Sequence, residues 1–125
     1  MPDVEYKIVN RKDLKVIIRR FSGDVQVEDI LHSFNHIRKK LLDDQVIGIV
    51  TDFDDSNLRV NLTDLKQVIQ YLKSTPDYHK VKLAVIVNTP YKTVLPLFAQ
   101  AKTKEAVIKP FSSIDAAIGW IFSGW

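Results

Sequence analysis

Apolar residues in this chain change their spacing several times, and each change marks an element. Tyr6 to Val9 and Leu14 to Phe21 read as two β-strands joined by the polar turn "NRKD", an antiparallel hairpin. Val16, Ile17 and Ile18 are apolar in succession, which places the second strand inside a sheet. Ser22-Gly23-Asp24 breaks it. From Val27 to Leu42 the spacing becomes three and four, with Val27, Ile30, Leu31, Phe34, Ile37 and Leu41 on one helical face. Glu28 and Asp29 stand in the first turn of this helix and Arg38, Lys39 and Lys40 in the last, complementing the helix dipole at both ends.

Val46 to Val50 is a continuous apolar strand that turns polar at Thr51 and Asp52. An acidic loop follows (Asp54, Asp55, Ser56, Asn57) and leads into a second helix, Leu62 to about Lys73. Asn61 is its N-cap, with Asp64 three residues on to answer the cap. Pro76 forbids continuation. Leu83 to Val87 reads as a buried strand closed by Asn88-Thr89-Pro90. Thr89 and Pro90 could cap a third helix, but Pro96 would then lie in its interior, so the pattern favours a start near Thr93. Ala106 to Ile108 is a short last strand stopped by Pro110, and Ser112 to Asp115 cap a final helix that buries Ile114, Ala117, Ile118 and Ile121. The expected order is ββαβαβαβα: an α/β domain spanning residues 1–125, with an N-terminal antiparallel hairpin and a largely parallel core.

Composition narrows the function classes. The chain has 125 residues, 46% hydrophobic and 26% charged, which fits one globular core and argues against disorder. Its apolar runs are strand-sized, so no membrane span is expected, and no signal-peptide pattern opens the chain. Without cysteine there is no disulfide, thiolate metal site or thiol nucleophile, and the expected compartment is the cytoplasm. The net charge of +3 gathers in Arg11, Lys12, Lys15, Arg19, Arg20, Arg38, Lys39 and Lys40. These bases are mixed with Asp13, Asp24, Glu28, Asp29, Asp43 and Asp44, and they read as solvated surface, not as a nucleic-acid stripe.

Candidate chemistry is sparse. Asp52, Asp54 and Asp55 follow a strand end, where clustered carboxylates could hold a hard cation. The glycine and regularly spaced further ligands of a metal loop are missing, and Asp, Ser and Asn are ordinary turn formers, so no metal is expected. His32 and His36 have chelating spacing without a third ligand nearby. No nucleophile elbow or glycine-rich phosphate loop is present, so neither an enzyme nor a nucleotide or other cofactor is expected.

Asp52, Thr89 and Lys109-Pro110 resemble the phosphoacceptor, switch and phosphate-reading positions of a response-regulator receiver. The acidic pair that ends a receiver's first strand is missing, and too few elements precede Asp52. "SGDVQVEDIL", "VIGIVTDF", "KLAVIVNTP" and "IKPFSSIDAAIGWI" together resemble the SpoIIAA-like/STAS group of bacterial α/β domains from Tyr6 to Ile121. That resemblance implies a non-enzymatic regulatory or protein-binding domain. In that group a serine at the start of the second helix is phosphorylated; Thr63 occupies the corresponding place and is the candidate phosphoacceptor, without the neighbouring Ser-Ser-Gly. A phosphate there would be favoured by the helix N-terminus.

The expected partner-binding edge comprises Asp52, Asp54, Asp55, Ser56, Asn61, Thr63, Asn88, Thr89 and Tyr91, at the carboxyl ends of parallel strands. The alternative is a carrier for a small apolar or lipid-like ligand, because such folds are similar to the CRAL-TRIO lipid-binding fold. Pro96 would then open a pocket beside Val94, Leu95 and Phe98. Phe122 and Trp125, or the hairpin edge, offer a homodimer surface.

Overall fold

The N-terminal hairpin is longer than its apolar run. In the computed structural model, which describes residues 2–123 and all their side chains except those of Pro90 and Tyr91, β1 spans Asp3–Arg11 and β2 spans Leu14–Val25. They pair antiparallel from Asp3 opposite Ser22 to Arg11 opposite Leu14. The two-residue turn between them holds Lys12 at φ 57°, a left-handed conformation that a side chain adopts at some cost. Helix α1 (Val27–Lys40) follows, its first turn secured by Asp29, whose carboxylate accepts the Gln26 amide at 2.8 Å.

Strand β3 (Val46–Asp52) is buried along its whole length and lies parallel to β2. A short strand that the apolar pattern did not anticipate, β4 (Ser56–Leu58), pairs with the end of β2 at Gly23, Asp24 and Val25. Gly23 supplies φ 87° there, which lets β2 bend and gain this second neighbour. Helix α2 (Leu62–Ser74) carries the expected reciprocal cap: Asn61 Oδ1 accepts the Asp64 amide at 2.7 Å, and Asp64 accepts the Asn61 amide at 3.3 Å. Strand β5 (Lys82–Ile86), helix α3 (Pro90–Lys102), strand β6 (Val107–Phe111) and helix α4 (Ile114–Phe122) complete the order.

The sheet runs β1-β2-β3-β5-β6, antiparallel at the hairpin and parallel elsewhere. One correction concerns α3. It starts at Pro90, not near Thr93, because Thr89 Oγ1 accepts the Lys92 amide at 3.3 Å and Pro90 is preorganised for the first position. Pro96 therefore lies in the helix interior and denies the Lys92 carbonyl its usual donor.

Side chains alternate across the strands and build two cores. One face packs Ile17, Phe21, Ile49 and Leu83 against α1, α2 and α3; the other packs Val16, Ile18, Val50, Ala84 and Ile86 against Ala117 and Ile121 of α4. Gly48 lets α4 approach β3, since a Cβ there would stand 2.4 Å from Ile121 Cγ2.

Candidate functional site

Two arginines in succession on β2 divide between the faces of the sheet. The parallel register sets Arg19 opposite Thr51 and Arg20 opposite Asp52. Arg20 donates to Asp52 Oδ2 at 3.1 Å, with its own side chain half in solvent. Arg19 is 2% exposed, a correction to its reading as solvated surface. Its Nε donates to Thr51 Oγ1 at 2.7 Å and its Nη1 to Ser33 Oγ at 3.1 Å, and its guanidinium lies 3.9 Å from the centre of the Phe34 ring. Tyr6 Oη and Ser33 Oγ share a further hydrogen bond of 2.8 Å.

Among the described residues no carboxylate forms an ion pair with Arg19. Burial, opposed by the nearby Tyr78, Tyr6 and Tyr71 hydroxyls, lowers its pKa to about 10. The group remains a cation at neutral pH, and the shift corresponds to roughly 3 kcal/mol against the charged form. A buried charge held only by neutral dipoles is costly.

Arg19 and Thr51 line a cavity of about 70 Å³ between the sheet and the three-helix layer. At roughly 10–15 Å³ per water-sized group, that is room for about five to seven non-hydrogen groups. Its walls are apolar: Leu83 and Val85 from β5, Leu65 and Val68 from α2, Leu95 and Ala99 from α3. Phe53, Leu58 and Val60 roof it from the loop after β3, and Lys92 completes the rim while donating to the Ser56 carbonyl at 3.3 Å. Among the described residues, two cations and no carboxylate line the cavity. Leu95 and Pro96 line the wall, whereas Val94 is 50% exposed and Phe98 packs against the same core without lining the cavity.

Many residues of the expected edge already serve the fold. Asp52 is buried, pairs with Arg20 and accepts the Asp54 amide at 2.9 Å. Asn61 and Thr89 are caps, and Ser56 lies in β4 with its hydroxyl on the Phe53 carbonyl at 2.8 Å. Asp54, Asp55, Thr63 and Asn88 are exposed. The Asp54 carboxyl is held above the usual carboxylate range by desolvation first, and then by Asp52 and Asp55. Tyr91 falls in the first turn of α3, and its side chain is outside the described set.

His32 and His36 are exposed, the latter against Tyr6 with ring centres 5.1 Å apart. Among the described residues no three His, Asp or Glu side chains gather as a metal site, and no helix is long and apolar enough to cross a membrane. Phe122 is half-buried beneath Arg11, whose guanidinium carbon is 4.4 Å from the ring centre; Trp125 lies outside the described residues.

Arg19 is the residue that sequence reasoning missed. Its signal was the strand period: Ile17 and Phe21 are core residues two positions to either side, so Arg19 shares their inward face.

No family model and no curated protein matches the sequence. Among solved structures, an uncharacterised protein of the DUF3478 family with a SpoIIAA-like fold, from Shewanella loihica PV-4, superposes with a TM-score of 0.66 at 16% identity, covering 97% of this chain and 95% of that one. The anti-sigma factor antagonist SpoIIAA, in its unphosphorylated form, superposes with a TM-score of 0.61 at 11% identity, covering 97% and 99%. The hairpin, the parallel core and the helices on both faces thus give this chain a SpoIIAA-like α/β fold.

Proposed function

We propose that this chain is a non-enzymatic binding domain that takes a small, mostly apolar molecule into the cavity beneath the loop following β3. The observation that carries this reading is the cavity itself, apolar on nearly all sides and bounded by Arg19 and Lys92. It sits near the carboxyl ends of the parallel strands, where open α/β sheets receive ligands. Methyl-resolved NMR with cyclopentane as a neutral probe tests it. Val68 and Leu95 methyl signals shift and saturate in wild type, and Ala99→Leu, which fills the wall, removes the response. Unmoved methyls at probe saturation overturn the reading.

A second reading is favoured by the exposed polar groups on the roof and on the first turn of α2. Asp54, Asp55 and Thr63 form an acidic and hydroxyl-bearing edge that could meet a protein partner, as the name of SpoIIAA indicates for that protein. Residues 53–60 would then be both roof and docking edge, so a cavity occupant could change partner affinity. Affinity capture with wild type and with a Thr63→Glu, Asp55→Arg double variant tests this edge; identical partner lists count against it.

A further inference from the structure

We propose that the cavity is a receptor for a short-chain monocarboxylate, with the carboxylate on Arg19 and a branched or linear apolar tail of up to about four carbons among Val68, Leu83, Leu95 and Ala99. The inference rests on the ligand-binding reading above and adds the chemical class of the ligand.

Charge complementarity is its basis. The strand register supplies Arg20 with a carboxylate, Asp52, but offers Arg19 only a hydroxyl on the inward face. Arginine has five N–H donors, and the Thr51 and Ser33 hydrogen bonds engage one on Nε and one on Nη1. The remaining donors, on Nη1 and Nη2, have no hydrogen-bond partner among the described residues, Arg19 lines the cavity, and a guanidinium with free N–H groups is a strong carboxylate receptor. Stacking on Phe34 and the two hydroxyl contacts hold the guanidinium plane in place before any ligand arrives. Lys92 adds a second positive charge at the rim, and the apolar walls offer nothing to a second polar group. The size argues for a small acid: with room for about five to seven groups, the cavity excludes a long fatty acyl chain unless the walls move. Lys92 is engaged at the rim by the Ser56 carbonyl at 3.3 Å, so the charge within the cavity is that of Arg19, and a monoanion matches it.

Titration calorimetry with isovalerate and its uncharged isostere isovaleramide tests the assignment on the full chain. Wild type binds isovalerate at least tenfold more tightly than isovaleramide. In Arg19→Met the two affinities become equal, while Arg19→Lys keeps part of the preference through its point charge. Thermal melts report whether each variant folds; should Arg19→Met not fold, Thr51→Val carries the test, lowering isovalerate affinity severalfold and sparing isovaleramide. Equal affinities in wild type, or a carboxylate preference that survives in Arg19→Met, overturn this inference and leave the cavity reading standing. Binding of neither compound, together with no methyl response to cyclopentane, overturns both.

Discussion

Across one strand pair, Arg20 reaches Asp52 at 3.1 Å while Arg19 finds only Thr51 at 2.7 Å. The difference bears on how each site responds to substitution. Truncating an ordinary core side chain costs about 2–5 kcal/mol. Arg19→Met removes a desolvated cation along with its two hydroxyl contacts, so urea denaturation is expected to place this variant within about 1 kcal/mol of wild type. Asp52→Ala strands no deeply buried cation, yet it removes the acceptor of the Asp54 amide and is expected to cost about 1 kcal/mol. Asp54 gives a pH signature. Its carboxyl is raised in the folded state, so its ionisation opposes folding above that raised value and has no effect below the ordinary carboxylate pKa. Asp54→Asn is therefore more stable than wild type at neutral pH, by a few tenths of a kcal/mol after solvent screening, and the advantage disappears in melts near pH 3.

At the scale of elements, capping and periodicity were legible because they are local. Asn61 and Asp64, and Ser113 with the Ala116 amide at 3.2 Å, occupy the roles their sequence positions imply. Strand β4 was not legible: Ser56-Asn57-Leu58 has no strand propensity worth noting and is extended only because the end of β2 offers a free edge. The start of α3 was misread for a related reason. Tertiary packing against β6 and α2 offsets the hydrogen bond that Pro96 removes, and local rules cannot weigh that contact. Pro96→Ala restores the bond to Lys92 at the loss of some buried ring surface, and a net gain of about 1–2 kcal/mol is expected in thermal unfolding. Gly48→Ala drives a methyl into Ile121 and should cost about 1–3 kcal/mol, with partial recovery in a Gly48→Ala, Ile121→Val double variant.

At the scale of the molecule, the described residues place three helices on one face and a single helix on the other, which gives the two cores different roles. The α4 side is closed by the approach of Ile121 to Gly48, whereas the three-helix side retains the cavity under the residue 53–60 roof. Composition gave no hint of this. A chain that is 46% hydrophobic can fill a core completely or leave a chamber, and that outcome depends on helix placement. The buried arginine was concealed in the same way, because a basic residue next to another basic residue looks solvated until the strand period and register assign each to a face. If the cavity is a receptor, occupancy should also slow amide hydrogen exchange across residues 53–61, since the roof opens less often around a bound ligand. The most direct measurement follows the Arg19 Nε–Hε NMR cross-peak, assigned by its loss in Arg19→Met, during titration with isovalerate. A carboxylate seated on Arg19 gives a saturable shift at one-to-one stoichiometry, moving together with the Val68 and Leu95 methyls; a stationary Arg19 signal, with shifts confined to surface lysines, overturns the assignment.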